Sequence, residues 1–590
     1  MSAFSLTMAS ATTTTSSSLL FSKSKAKRRF KQTHGFRISC SITSDDHEKP
    51  LITTNTIPKN PMQPKTTDIH NVDRRDMLLG LGGLYSTVNL TTLPSAFAVP
   101  IKAPSDISTC HDATSGINDG PNAVRTKACC PLPSTKPVKD FVNFPRGRTR
   151  TRPAAHKVTS EYLKKFNDAM KAMRDLPDED PRSFKQQAMI HCAYCNGGYT
   201  QIESGHGELE LQIHNSWLFF PFHRWYLFFF ERILGKLIND PTFALPYWNW
   251  DNPAGMEIPQ IYEGEEKTYK ENALFDGFRN AKHLPPSVVD LGYDGKDRNI
   301  TCLKQVSDNL STMYKEMISN AFNAESFFGG EYRAGDNPIA NGASSVGSIE
   351  RGCHTAIHRW VGNPRMPNDE DMGNFYSAGY DPLFYAHHAN VDRMWTIWKE
   401  LSHKHREPKH EDWLNASYVF YDENKELVRV YNKDCVKIEN LQYNYERSDI
   451  PWAKSRPTPR SKRFGIATRS VGSVKYVEEQ QFPLKVDGIV KVLVKRPSKR
   501  RSKEEKEEAV EMLLVNGIEF DGEKFVKFDV IVNDDESTMI SETDSEFAGT
   551  FAQLPHNHTM KMMMTSGARF GLNELLEEIE AEDDEFVLDF

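Results

Sequence analysis

The sequence predicts a mainly α-helical core threaded by long loops, followed by a small all-β domain. Three observations carry that expectation. In the first part of the chain, apolar residues recur at helical spacing, as in Tyr162, Phe166, Met170 and Met173. Toward the C-terminus, short β-branched or aromatic runs are separated by turn residues. Between the two, residues 446–470 collect Pro451, Pro457, Pro459 and a run of Arg and Lys, which reads as an exposed linker and a protease target. The composition agrees: 590 residues, 38% hydrophobic and 26% charged, describe a soluble globular protein and not a disordered chain. The greasiest run, Trp217 to Ile238, is interrupted by His223, Arg224, Glu231, Arg232 and Lys236, so it reads as a buried helix and an integral membrane protein is excluded. The formal net charge is −7, and with the basic residues of the leader set aside the rest is more acidic still, so no nucleic-acid surface is expected.

Taken in order, residues 1–44 are rich in Ser and Thr and carry seven Lys/Arg with no Asp or Glu, the composition of a chloroplast transit peptide. Residues 45–98 hold a second address. Arg74-Arg75 precedes the apolar segment Met77 to Leu93 and the small-x-small site Ala96-Phe97-Ala98, a pattern read by twin-arginine export machinery. Two addresses in series point to the thylakoid lumen, with a mature chain from Val99. Residues 99–445 form the helical domain, with a helix at Ser160 to Arg174 and helical patterns at 208–238, 303–322, 350–360 and 383–401. The stretches 241–300 and 323–349 are rich in Gly, Pro and Asn and read as long loops of the kind that carry sites. Residues 471–590 form the β domain, with strands in Gly488 to Val494, Ala509 to Phe520, Phe525 to Val532 and Phe547 to Leu554, and a charged, solvated loop at Lys495 to Glu508.

Of the nine cysteines, Cys110, Cys129, Cys130, Cys192 and Cys195 cluster early in the mature chain. Its Pro- and Thr-rich start cannot hold itself by helix packing, and disulfides to the core are the natural staple, which requires an oxidising compartment; buried free thiols are the alternative. Cys192-x-x-Cys195 also has the spacing of a redox dithiol or half a zinc site, but no second such pair and no βαβ pattern accompany it.

Six of the 19 histidines fall into two triads. His354 and His358 are four apart, one turn on one helix face, able to grip a single ion. His388 follows in a helix begun by Asp381-Pro382, with Asp392 a turn further on, placed to orient a ligand. Thr355 stands where a zinc-protease helix needs its Glu, so a zinc peptidase is excluded. The other triad is His191, His214 and His223. His214 and His223 lie nine residues apart, on opposite faces of one straight helix. Pro221 resolves this by starting a new segment that turns His223 back toward His214. Both lie among Trp217, Leu218, Phe219, Phe220 and Phe222, where unpaired imidazoles are costly and a metal is the economical partner. Three imidazoles per ion, without carboxylate or thiolate, suit copper or zinc, and two adjacent triads suit a pair of ions.

The motifs His-Cys-Ala-Tyr-Cys at 191–195, His-Asn-Ser-Trp-Leu-Phe-Phe-Pro-Phe-His-Arg at 214–224, His-Thr-Ala-Ile-His-Arg-Trp-Val-Gly at 354–362 and Asp-Pro-Leu-Phe-Tyr-Ala-His-His-Ala-Asn-Val-Asp-Arg at 381–393 resemble the plant polyphenol oxidases (catechol oxidases) of the type-3 copper family of tyrosinases and haemocyanins. Asp412-Trp413-Leu414, Tyr443-x-Tyr445 and Lys527-Phe528-Asp529-Val530 resemble that family's later landmarks. The resemblance implies a four-helix bundle around a dicopper site and a C-terminal β-sandwich that shields it. It assigns two copper ions per chain, one to His191, His214 and His223 and one to His354, His358 and His388, with His387 not a ligand. It further implies a Cys195–His214 thioether, disulfides Cys110–Cys129 and Cys130–Cys192, Phe375 as an aromatic gate over the second copper, and Glu350 as an acid near it.

The activity so implied is oxidation of o-diphenols to o-quinones by dioxygen, which is reduced to water, in an enzyme latent until a processing protease or displacement removes the C-terminal cover. Thr355 replaces an Asn that, in the family, is proposed to help hold a basic water, so weak or no monophenol hydroxylation is expected. An oxygen carrier, or a redox-silent metal-binding protein, would use the same histidines; the plastid address and plant landmarks argue against the first. His556-x-His558 reads as a solvated strand end, with an accessory copper site as the alternative.

Overall fold

The computed structural model describes residues 5–12 and 99–589, apart from 112–128, 135, 264–269, 338–344, 461–482, 487, 534–539, 556–562 and 585. The addresses assigned to 1–44 and 45–98 lie outside the described residues except for the strand Ser5–Thr12, and so does His556-x-His558.

The core is helical. Helices Ser160–Arg174, Phe184–Cys195, Phe219–Leu237 and Leu383–Leu401 pack together, and Thr355–Val361 closes one side. Thr159, Ser183 and Thr301 accept hydrogen bonds from first-turn amides of the helices that follow them, which meets donors with no partner inside the helix. Pro221 falls in the first turn of Phe219–Leu237, where its missing N–H costs nothing. Asp381 Oδ1 accepts from the Leu383 amide at 2.8 Å and so starts helix Leu383–Leu401. Among the described residues, no helix is long and apolar enough to cross a membrane.

Three elements differ from the sequence expectation. Residues 208–218 are not helical: a strand, His206–Glu210, and an irregular segment precede the helix that begins at Phe219. Helix Phe184–Cys195 has no amphipathic signal because every residue but Lys185 is buried, which erases the contrast that periodicity needs. Residues 446–460 are not an exposed linker. Trp452 is fully buried and its indole N–H donates to Asp251 Oδ2 at 2.9 Å, because a large aromatic in this proline-rich stretch finds a hydrophobic slot with a carboxylate at its end.

The C-terminal region is built of antiparallel strands. Ala509–Asp521 pairs with Met563–Gly571, Val526–Ile531 with Phe547–Gln553, and Val492–Lys495 with Phe586–Asp589. The last strand of the first and third pairs has no counterpart in the sequence reading. Leu513, Phe520, Val530, Phe551, Ala568 and Phe570 from these strands share one small core. The strand Ser5–Thr12 pairs with Ala509–Asn516 along the other edge. The segment expected to be a loop ends in a short helix, Lys503–Glu508, with no buried residue.

Two disulfides join Cys110 to Cys130 and Cys129 to Cys192, which corrects the expected Cys110–Cys129 and Cys130–Cys192. Successive residues in extended chain point to opposite sides. Cys129 faces inward, buried with Cys192 and Tyr376, and Cys130 faces the other way, toward Cys110. Peptide mapping of the unreduced protein should therefore recover Cys192 linked to Cys129; because Cys129 and Cys130 are adjacent, the digest must cleave between them or the linkage must be read by fragmentation. Recovery of a Cys130–Cys192 link would overturn this pairing.

Candidate metal centre

Two groups of buried ligand atoms stand out. His191, Cys195, His214 and His223 form one, and His354, His358, His387 and His388 the other; within each group the candidate ligand atoms all lie within 4.8 Å of one another. The two groups adjoin, since the His223 and His388 rings stack at 4.1 Å between centroids.

Each histidine is aimed by the element that carries it. His191 and Cys195 share a face of helix Phe184–Cys195, one turn apart. His214 comes from the irregular segment, where Asn215 adopts a left-handed backbone (φ 62°) that a short polar side chain tolerates. His223 lies one turn into Phe219–Leu237, His354 ends a π-helical turn, Glu350–His354, and His358 follows it by a turn.

Backbone carbonyls fix the imidazoles. His191 Nδ1 bonds the Phe375 carbonyl at 2.9 Å, His223 Nδ1 that of Phe219 at 2.7 Å, His354 Nδ1 that of Glu350 at 3.2 Å, and His358 Nδ1 that of Met372 at 2.7 Å. A carbonyl only accepts, so each Nδ1 carries the proton and each Nε2 presents a lone pair. The Nε2 atoms of His191, His223 and His354 are buried and have no protein partner, and those of His358 and His388 face each other at 3.3 Å. Inward-facing buried lone pairs without donors are what a metal ion satisfies, and neutral imidazoles in threes fit copper. Burial raises the Cys195 thiol pKa well above its usual value, so the sulfur does not offer a thiolate.

His387 shares the second group, so proximity alone does not separate it from His388. The His388 ring also meets those of His223 and His191 in the first group, at 4.1 and 6.3 Å. The His387 ring meets those of His354 and His358, at 5.4 and 4.9 Å, and lies 6.0 Å from that of Trp250.

Glu350 is buried, its Oε1 accepts from the Asn215 amide at 2.8 Å, and burial raises its pKa well above the usual range against that hydrogen bond. Its carboxylate thus reaches the His214 segment while its carbonyl holds His354. The Thr355 hydroxyl donates to that same carbonyl at 2.7 Å.

Two expectations are corrected. Phe375 lies over the first triad, 4.2 Å from His214 and 6.3 Å from His191 between ring centroids, because its own carbonyl is tied to His191. Asp392 orients no ligand. It accepts from Arg224 at 2.5 Å, Tyr443 at 2.6 Å and Tyr445 at 2.5 Å, since a buried carboxylate is compensated far better by a guanidinium than by a neutral imidazole.

The sequence reading placed Phe219 among the apolar residues around His214 and His223 and gave Phe384 no role. The Phe384 ring lies 4.2 Å from His388 and 4.8 Å from His191, and that of Phe219 lies 4.8 Å from both His223 and His354. Each stands four residues before a triad histidine on its helix, a spacing that marks it for the same face.

Burial lowers the imidazole pKa values, to about 3 for His223 and about 4 for His358, and well below normal for His191, His354 and His388. Between those values and the ordinary 6.5 the unfolded chain binds protons that the fold refuses, so stability is present above about pH 6.5 and is lost as pH falls. Each such histidine adds a slope of about 1.4 kcal/mol per pH unit. Denaturant titrations of copper-free protein should therefore show a steadily falling midpoint from pH 7 to pH 4.5; a flat profile would contradict neutral burial.

Comparison with known proteins gives these clusters a context. Residues 181–401 match the common central domain of tyrosinase, 407–458 the polyphenol oxidase middle domain, and 482–588 the chloroplastic polyphenol oxidase C-terminal domain. The chain is 48% identical over 575 residues to a chloroplastic polyphenol oxidase of Malus domestica, covering 96% of this chain and 90% of that one. A latent aurone synthase (polyphenol oxidase) superposes with a TM-score of 0.78 at 55% identity, covering 83% of this chain and 95% of that one. A latent apple tyrosinase does so with a TM-score of 0.72 at 50% identity, covering 77% and 95%. With two histidine clusters suited to a dicopper centre, a helical core and the family's own C-terminal domain, the chain belongs to the plant polyphenol oxidases, copper oxidoreductases of the tyrosinase family.

Proposed function

We propose that this chain oxidises o-diphenols to o-quinones with reduction of dioxygen to water. In this reading His191, His214 and His223 hold one copper, and His354, His358 and His388 the other. The observation that carries it is the joining of two carbonyl-fixed imidazole clusters through the stacked His223–His388 pair. Bound copper would supply the electron transfer between the phenol and dioxygen. Two catechols, each giving two electrons and two protons, balance one dioxygen reduced to two waters.

The protein's own contributions follow from its geometry. Carbonyls of Phe375, Phe219, Glu350 and Met372 hold four imidazoles in one tautomer. Phe375, Phe219 and Phe384 make the surroundings apolar, which orients an aromatic ring and excludes water. The Asn215 amide steadies Glu350 Oε1 and burial raises the pKa of the carboxyl, so Oε2 is placed to hold or pass a proton beside the His214 segment.

The relatives named chloroplastic, together with the leader composition, support a chloroplast protein, and the twin-arginine segment supports transfer to the thylakoid lumen. We assign 1–44 and 45–98 to these two addresses, 99–445 to catalysis and 471–590 to a cover that keeps the enzyme latent. The processing site belongs in 461–470, the part of the expected linker that follows Arg460.

Cys195 Sγ lies within 4.8 Å of the neighbouring imidazole nitrogens, which supports a thioether to His214. Copper-loaded protein should then lack two hydrogens beyond those lost to disulfides, and Cys195 should resist alkylation after reduction. A freely alkylated Cys195 removes the cross-link.

The decisive assay compares 4-methylcatechol and tyramine before and after cleavage in 461–470. Diphenol oxidation should rise on cleavage at constant copper content, and tyramine should be hydroxylated slowly or not at all, because the Thr355 hydroxyl is spent on the Glu350 carbonyl. Thr355→Asn should raise the tyramine rate. Equal diphenol rates before and after cleavage would remove the latency, and comparable rates on the two substrates would remove the substrate preference.

A further inference from the structure

The turn that carries Glu350 and His354 also carries the side chain that fastens the C-terminal domain. Arg351 is fully buried. Its guanidinium donates to the Thr550 carbonyl and, at 3.2 Å, to the Arg569 carbonyl, and it lies 4.4 Å from the centre of the Phe570 ring. Thr550 belongs to strand Phe547–Gln553, and Arg569 and Phe570 to Met563–Gly571, so one core side chain grips a strand from each of two β pairs.

Behind the guanidinium stands Glu316 Oε2 at 3.5 Å. Glu316 sits in a second π-helical turn, Lys315–Ser319, and its carbonyl accepts from the Ser348 hydroxyl at 2.7 Å. A Cβ at Gly352 would stand 3.0 Å from the Glu316 carboxyl carbon, so the two turns approach as closely as glycine allows. The Lys315–Ser319 turn and the residue after it bind the same domain. Lys315 Nζ donates to the carbonyls of Asp544, at 3.1 Å, and Phe547, while Asn320 bonds the Ala548 carbonyl at 3.1 Å and the Gly571 amide at 3.0 Å.

If the domain lifted away, Arg351 would lose both carbonyl acceptors and the ring and would face water, so the contacts that hold its turn from the domain side would be gone. His354 is three residues on, and its imidazole is tied to the Glu350 carbonyl of that turn. We propose that Arg351 is a positioning residue that couples docking of the C-terminal domain to metal binding at His354, His358 and His388. The cover then presets the second copper site as well as shielding it. This rests on the reading that those histidines hold a copper. Coupling between two binding equilibria is reciprocal, so copper at that site tightens the docking of the domain.

Hydrogen exchange on the full-length chain, copper-free and copper-loaded, tests this without measuring activity. Loading should slow exchange in strands Phe547–Gln553 and Met563–Gly571 about tenfold in the wild type and less than about threefold in Arg351→Met. Phe570→Leu, in the covering domain, should show the same loss of effect and stands in if Arg351→Met does not fold. Equal exchange with and without copper in the wild type overturns the coupling, as does slowing of the same size in the variants. Copper counted on the same samples keeps the two readings apart. Two ions per wild-type chain with unchanged exchange removes the coupling alone, whereas fewer than two removes the site assignment and the coupling with it.

Discussion

Imidazoles buried in an apolar interior have to be neutral and fixed in one tautomer, and the backbone carbonyls that take their Nδ1 protons are what the rest of the core is arranged to supply. Two of these carbonyls, from Phe219 and Glu350, lie four residues before the histidine they hold, within the same helical segment. The other two come from one irregular stretch: Met372 holds His358 of the second triad and Phe375 holds His191 of the first. A single loop therefore fixes one histidine of each cluster. Any shift of that loop relative to the bundle changes both sites together, which links the spacing of the two clusters to the path of a segment that has no regular structure.

The bundle meets this demand by burying charge behind the ligands. Arg224 follows His223, Asp392 stands one turn beyond His388, and the two pair at 2.5 Å between the helices that carry them. Arg152 adds a contact to Asp392 at 3.4 Å and one to Glu231 at 2.9 Å, and Arg150 completes the Glu231 pair at 2.8 Å. Burial works to raise the Asp392 and Glu231 pKa values, yet the facing arginines hold both below the ordinary carboxylate range. Breaking one such buried pair typically costs about 3–5 kcal/mol, because the remaining charge is stranded. The network thereby fixes how helices Phe219–Leu237 and Leu383–Leu401 are rotated against each other, and hence where His223 and His388 meet.

The C-terminal domain reaches the same structure through polar contacts more than through a shared apolar core. Its small core takes in Val346 from the helical part, and Leu554 and Phe525 make apolar contacts on the larger core. Among the contacts that join them are Arg351 and Lys315 from the two π-helical turns and Asn320 just after the second, each bonded to a strand carbonyl. Such an interface is specific in geometry and sensitive to loss of any one partner.

The sequence by itself determined the two-part architecture, the six histidines of the two triads, the helix started by Asp381 and the β character of the C-terminal region, because helical period, turn residues and ligand spacing are local properties. It did not show helix Phe184–Cys195, since a helix buried on all sides has no polar face to give its period away. Nor did it decide which of Cys129 and Cys130 meets Cys192, on which triad Phe375 lies, or whether Asp392 serves a histidine or an arginine. Trp452 is the same kind of case: its composition reads as linker, and its slot against Asp251 exists only once the core has formed. Each of these depends on which distant segment comes to face the residue, and only the packing of the whole chain supplies that partner.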